Sequence, residues 1–376
     1  MAGPKKKSGI PGFLYVCVVV VFLCVGFLSG GDNVQKATGS LFHLRGFQTK
    51  AQEESLSFVK EDTVDIEIEV KDEGDVVFNS SEGYYRYGPS IIEYEDGSYD
   101  VWFSSPGNNS TQWDYIRYRH SDDGIHWTKD KVVLTPSPDS KDQCSVCDPG
   151  VIYFDGYYYL AYTSTSDYQR KGTNNQGFVA RSKNPDGPFE KWNGSGWGGK
   201  PMPILSYEGD PAGWGIGELS FVLMEKDLYI YYTYFDLNGG STCLAKAKTG
   251  ENWPSEIENI GVAITRSTQD SADVFYADDL KLFLAFAIKD KMAESSSLAV
   301  YVSSNGREFK EADFSKQYIE NYAHNLGIAK SPEGHQSTDK EILFGYAYGR
   351  RWARWNTKFH HLMIHSKPVY KLAGNE

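Results

Sequence analysis

Cysteine is scarce in this 376-residue chain, with five in all. Cys17 and Cys24 sit in an apolar run near the N-terminus, which leaves Cys144, Cys147 and Cys243. That is an odd number for an oxidising compartment: Cys144 and Cys147 can bridge locally, or one of them can reach Cys243. The Cys144-x-x-Cys147 pair has no second pair and no histidine at zinc-ligand spacing, which argues against a metal site. It precedes a strand pattern and not a helix, which argues against a redox motif. Positive charge is also short, with 38 Lys and Arg against 50 Asp and Glu and a net charge of −12. Binding nucleic acid needs a basic face, so that class of partner is set aside. The glycine-rich stretches at 194–199 and 213–217 lack a following helix, so neither is a phosphate cradle.

Long apolar runs are confined to one place. After Lys5, Lys6 and Lys7, residues 13–28 carry no charge. With their flanks they reach the length that spans about 30 Å of hydrocarbon. Lysines before this segment and acids after it place the N-terminus in the cytosol. The expectation is a retained signal anchor and a single-pass type II membrane protein of the Golgi or cell surface. The rival is a cleaved signal peptide, with Ser29 and Gly31 near the cut. Sequons fit the secretory route, with glycans expected at Asn79, Asn193 and one of Asn108 or Asn109, the last being preferred. Residues 1–12 are then a cytosolic tail, 13–30 the anchor, 31–75 a polar stalk and 76–372 one domain large enough for a core.

What the chain has in quantity is aromatic residues, 26 Tyr, 20 Phe and 9 Trp, and they recur in a repeat. Five hairpin-like units begin near Gly88, Asp148, Glu218, Asp273 and His324. Each joins two runs of β-branched and aromatic residues, as in Gly150-Val151-Ile152-Tyr153-Phe154, a turn at Asp155-Gly156, then Tyr157-Tyr158-Tyr159-Leu160. Three units continue with a further strand, a Gly turn and an aromatic, ending at Trp127, Phe189 and Phe309. Repeats spaced by roughly 50–70 residues fit four-stranded propeller blades. An all-β, five-bladed propeller after an N-terminal transmembrane helix and stalk is therefore expected. The alternating stretch Val64-Asp65-Ile66-Glu67-Ile68-Glu69-Val70 can close the ring by pairing with the last blade. Radial repeats would bring the five unit starts together at the axis. Asp before Pro is also a common turn element, so Asp148 alone proves little. A carboxylate such as Glu218 at a strand start among Gly and Trp is harder to explain without a use.

Asp148-Pro149 before an aliphatic strand, the turn at Asp155-Gly156 and the Gly-turn-plus-aromatic elements resemble the five-bladed glycosidases of glycoside hydrolase family 43 and its relatives in families 32, 62, 68, 117 and 130. The resemblance covers about residues 80–370. It implies a general base on the first blade, an Asp tuning the acid's pKa on the second, and a general-acid Glu on the third. Asp148 matches the second of these and Glu218 the third. Gly88 stands where the base belongs, which leaves Asp273 as the most economical remaining carboxylate, or Asp148 itself as base. The resemblance further implies a histidine at His324 that helps hold a central Ca²⁺ through water, with no other cofactor required. A family 130-like phosphorolysis would instead use His324, Arg86 or Arg350 to bind phosphate. Among loop aromatics, Trp113, Trp197 and Trp214 are candidate sugar platforms, Trp214 foremost. The run Arg350-Arg351-Trp352-Ala353-Arg354-Trp355 reads either as a surface loop or as a substrate-binding rim. His120, His126, His360, His361 and His365 read as surface residues. The leading function is a glycosidase acting on carbohydrate in the secretory pathway. A glycan-binding propeller without catalysis and a scaffold propeller are the alternatives.

Overall fold

The computed structural model describes residues 58–372, apart from 75, 80–84, 110, 168–171, 266–270 and 313–318. The tail, the anchor and most of the stalk lie outside the described residues. Among the described residues no helix is long and apolar enough to cross a membrane.

Strand formation follows the period-2 pattern. In β1 (Phe58–Val70) Ile66 and Ile68 are buried while Asp65, Glu67 and Glu69 face solvent. After β2 (Val76–Phe78), blade 1 runs outward from β3 (Tyr87–Glu93) through β4 (Tyr99–Asn109), β5 (Gln112–Ser121) and β6 (Lys131–Leu134). Blade 2 repeats this with β7 (Cys147–Phe154), β8 (Tyr157–Ser164), β9 (Gln176–Ser182) and β10 (Glu190–Lys191). Blade 3 comprises β11 (Gly215–Met224), β12 (Asp227–Asp236), β13 (Gly239–Lys248) and β14 (Ile257–Ile264). Blade 4 comprises β15 (Asp273–Ala277), β16 (Leu282–Lys289), β17 (Ser297–Ser303) and β18 (Lys310–Glu311). Blade 5 starts at β19 (Ala323–Ile328). A short β20 (His335–Gln336) then pairs parallel with β15 before blade 5 resumes at β21 (Ile342–Tyr348) and β22 (Asn356–Leu372). The fold is a five-bladed propeller.

Closure is made as the alternating stretch suggests. β1 pairs antiparallel with β22, from Val64 opposite Pro368 to Val70 opposite Leu362, so blade 5 takes its outer strand from the N-terminal side. This removes an open edge. The ring thus begins at Phe58, inside the stretch read as stalk. Apolar clusters fill the gaps between blades: Trp102, Val151, Leu160, Tyr162 and Phe178 between the first two, Tyr231, Val274, Phe283 and Tyr301 between the third and fourth. Each fully buried side chain of this size contributes roughly 1.5–3 kcal/mol.

One segment shuts the bottom of the central tunnel. Residues 330–336 cross beneath the inner strands and accept their terminal N–H groups in turn: Glu93 donates to Lys330 O at 2.9 Å, Tyr153 to Pro332 O at 2.7 Å, Leu223 to Glu333 O at 2.9 Å and Tyr276 to Gly334 O at 3.1 Å. Four blades are stitched to one floor. The tunnel is therefore a pocket with one mouth, at the end where the inner strands begin.

Candidate active site

Four of the five inner strands open with the same irregularity. The ladder skips a residue between Tyr87 and Ser90, Cys147 and Gly150, Gly217 and Ser220, and His324 and Leu326. At each bulge one residue takes a positive φ: Gly88 (61°), Asp148 (48°), Glu218 (52°) and Asn325 (45°). A bulge re-aims a side chain, and all four residues line the axial cavity. The left-handed conformation costs an L-residue roughly 1–2 kcal/mol, so three non-glycine examples at matched positions need a compensating use.

Hydroxyls of the preceding blade fix this geometry. The Asp148 N–H donates to Ser104 Oγ at 2.8 Å and the Glu218 N–H to Thr163 Oγ1 at 2.9 Å. Two residues after Asp148, strands approach so closely that a Cβ on Gly150 would overlap the Leu219 carbonyl. The two carboxylates are bridged by a single nitrogen. Asn325 Nδ2 donates to Glu218 Oε1 at 2.9 Å and reaches Asp148 Oδ1 at 3.5 Å. Asp148 Oδ2 lies 3.3 Å from the Cys147 thiol, which burial holds well above the usual thiol pKa, so it remains a neutral donor. Behind it, Asp114 accepts from Tyr85 at 2.6 Å and from Ser145 at 2.7 Å. Desolvation raises the Asp114 pKa, with the Tyr85 and Ser145 hydrogen bonds opposing.

The other residues singled out by sequence are placed as follows. Asp273 lines the cavity but lies one layer deeper. Ser90 Oγ accepts from Val151 N, Ser220 Oγ from Val274 N, and Asp273 Oδ2 from Ile328 N at 2.9 Å, so Asp273 is the fourth-blade counterpart of Ser90 and Ser220. Its other oxygen is held by Lys330 Nζ at 2.5 Å and Ser220 Oγ at 2.7 Å. In blade 4, Ser271 lines the same wall without a bulge. The fifth-blade residue on the axis is Asn325 and not His324, because the bulge falls between His324 and Leu326. The buried His324 ring instead packs edge-on against Trp355, 4.7 Å between centroids, with Tyr87 at 6.4 Å.

Trp214 stands beside the site, since a Cβ on Gly217 would meet its indole. Trp197 packs against Tyr159 and Trp192, under Arg181. Arg86 is buried and paired with Asp130 at 2.6 Å, and Arg350 is exposed over Tyr322. Neither lines the cavity, and among the described residues no Arg or His does. Asn79 is exposed, whereas the Asn193 amide donates to Gly198 O at 2.8 Å; the Asn109 side chain lies outside the described residues. Cys144, Cys147 and Cys243 are three buried free thiols. His360 is buried, not a surface residue, because residues 72–74 fold over β22.

A Ca²⁺ site needs six to eight oxygen ligands. Among the described residues no three His, Cys, Asp or Glu are grouped to hold a metal, and His324 turns its ring into an aromatic cluster.

What sequence reasoning missed was Asn325, and the signal was present. Asp148-Pro149-Gly150 and Asn325-Leu326-Gly327 share a small residue two positions on, as do Gly88-Pro89-Ser90 and Glu218-Leu219-Ser220. The hydroxyls of Ser104 and Thr163 had no signal of their own.

No protein-family model and no curated protein matches this sequence. Solved structures do match in fold. Zg3597, a family 117 glycoside hydrolase from the marine bacterium Zobellia galactanivorans, aligns with a TM-score of 0.57 at 16% identity, over 85% of this chain and 96% of its own. A thermostable family-43 glycoside hydrolase gives 0.55 at 14% identity, over 81% and 96%. The α-L-arabinofuranosidase PaAbf62A from Podospora anserina, solved with cellotriose, gives 0.53 at 11%, over 80% and 97%. The chain shares the five-bladed propeller of these glycoside hydrolases.

Proposed function

We propose that this chain is a glycosidase-like protein that holds a glycan over the axial pocket and cleaves it by proton donation from Glu218. The observation that carries this is the meeting of Glu218 and Asp148, each on a strained bulge, at one asparagine amide. Inverting hydrolysis needs its two carboxyls about 6.5–9.5 Å apart, with water between. A shared amide nitrogen holds Glu218 Oε1 and Asp148 Oδ1 nearer than that. Asp148 is therefore the charge neighbour of the acid, and the place for a water-activating base falls at Gly88. With that place empty, turnover is slow. Asp273, tied to Lys330, serves the ring and not the reaction. The described lining, which carries carboxylates and no Arg or His, disfavours phosphate as the nucleophile.

The test is a screen of arabino-, xylo- and galacto-oligosaccharides, whose leaving sugar must be protonated, with wild type and Glu218→Gln. Slow release of reducing sugar that Glu218→Gln abolishes supports the reading, and release that survives the substitution overturns it. A second reading, favoured by Gly88, is a glycan-binding propeller, for which binding without release is expected. We place the domain on the lumenal or extracellular side of a membrane, anchored by residues 13–30, with a glycan at Asn79 foremost.

A further inference from the structure

The loop joining β21 to β22 is built as a rim. Tyr348 pairs with Ala323, where β19 begins, and Arg86 N donates to Trp355 O at 3.0 Å, two residues before Gly88. The loop thus runs along the mouth from blade 5 to blade 1. It is a tight turn, with Arg354 N donating to Arg351 O at 3.1 Å and Ala353 at a φ of 55°. At its tip Trp352 is 76% exposed, the most exposed large apolar side chain among the described residues. It stands edge-on to buried Trp355 at 4.9 Å, and Trp355 in turn touches Tyr87 and His324, the neighbours of Gly88 and Asn325. An unbroken aromatic path therefore leads from solvent to the cavity wall.

Charge distinguishes this rim from the rest of an acidic protein. Arg350, Arg351 and Arg354 are all exposed around Trp352, and no carboxylate pairs with Arg350 or Arg351 among the described residues. At the same end of the blades, the loops of blades 2 and 3 carry Glu208, Asp210 and Asp236, with Lys291 over Phe235. The three arginines around Trp352 are all of one sign, so an anionic group is directed to them.

We infer that this rim is a subsite for an anionic sugar, a uronate or a sulfate ester, whose ring lies on Trp352 while its anion is held by the arginine cluster. An indole face offers flat apolar area to a sugar ring, and guanidinium groups match carboxylate and sulfate oxygens two at a time. This rests on the proposed reading of the axial pocket as a glycan site.

The experiment is affinity electrophoresis of the full chain in non-ionic detergent, through gels containing polygalacturonate, alginate or chondroitin sulfate, with neutral arabinan as reference. At least one anionic polymer should retard the wild type. The triple substitution Arg350→Ala, Arg351→Ala, Arg354→Ala should weaken that retardation at least tenfold, and Trp352→Ala severalfold. Arg351→Lys should retain part of it. Raising the salt to 0.5 M should diminish it, since surface charges are screened. No retardation by any of the three anionic polymers overturns the inference, as does retardation indifferent to the arginines. Cleavage of neutral arabinosides that needs Glu218 but ignores the rim would sink the subsite and leave the proposed function standing. Arginine-dependent retention with no cleavage of any glycoside would do the reverse.

Discussion

Asn325 donates its side-chain amide to Glu218 at 2.9 Å from the opposite side of the axis, and the same nitrogen reaches Asp148 at 3.5 Å. Three strained residues from three blades thus meet at one point, and Gly88 completes the level without a functional group. If Glu218 is the proton donor, Glu218→Gln keeps the shape and the bond partner's reach but has no proton to deliver. Turnover of oligosaccharides, whose leaving hydroxyl must be protonated, should fall by about 10²–10⁴. Glycan affinity, read by calorimetry, should stay within a few fold.

Asn325→Ala should act on rate more than on binding. The amide positions two carboxylates and faces them, not the mouth, so its removal lets Glu218 choose another rotamer. A displacement of about 1 Å in a reacting group can cost 10²-fold. Steady-state kinetics should show kcat reduced by one to two decades with KM little changed. Asn325→Asp, which keeps the size but removes the N–H donor, should lose at least as much; an unchanged rate in it would show that shape alone positions Glu218.

Gly88→Asp is the constructive test. A Cβ on Gly88 would sit 3.4 Å from Asp148 Oδ1 and 3.7 Å from Ser104 Oγ, ordinary contact distances. The φ of 61° disfavours most side chains, but Asp enters the left-handed region more readily, as Asp148 does on the next blade. The substitution should cost about 1 kcal/mol of stability and raise hydrolysis of aryl glycosides at least tenfold, by supplying a base to attacking water. A stable Gly88→Asp protein with unchanged activity would show that the missing base is not what limits turnover.

Much of the fold was legible because propeller blades repeat one hairpin, and a period-2 pattern with matched turns survives in sequence. Asp148 and Glu218 could be found for the same reason. Register at blades 4 and 5 could not be read from hairpin starts alone. A bulge inserts one residue without a compositional mark, so His324 and Asn325 exchange roles on a shift of one. Asp273 looks equivalent to Asp148 in sequence, yet blade 4 lacks the bulge, and two residues of offset carry its carboxylate to the ring below. The floor at 330–336 was not legible either, because its bonds are made by backbone.

His360 gives the pH dependence. Its ring is stacked on Tyr346 and Phe344, Nδ1 faces the Asp72 carbonyl at 3.1 Å, and Nε2 meets the Tyr346 hydroxyl at 3.1 Å. Burial lowers its pKa, with the Lys358 charge in the same direction and Asp72 opposing. A histidine depressed in the folded state binds its proton more readily when unfolded. The contribution is therefore whole above the unfolded pKa of about 6.5 and is lost as pH falls below it, by about 1.4 kcal/mol for each unit of depression. Thermal midpoints should drop between pH 7 and pH 5, and the drop should be smaller in His360→Phe, which keeps the stacking. An identical slope in both proteins would remove His360 from the account.

Asp273 decides between reaction and architecture. Its carboxylate is 12% exposed and Lys330 3%, and the pair joins blade 4 to the floor segment that collects the inner strands. Lys330 Nζ also reaches Ser220 Oγ and Val274 O, while Ile328 N caps the second Asp273 oxygen. Deleting one partner of such a buried pair leaves a charge uncompensated and typically costs about 3–5 kcal/mol. Asp273→Ala and Lys330→Met should each lower the urea midpoint markedly, and the double variant should lose less than the two singles added together. The surviving folded fraction of Asp273→Asn should hydrolyse aryl glycosides within a few fold of wild type. A variant with an unchanged midpoint and abolished turnover would move Asp273 into the reaction and give the site its third carboxylate.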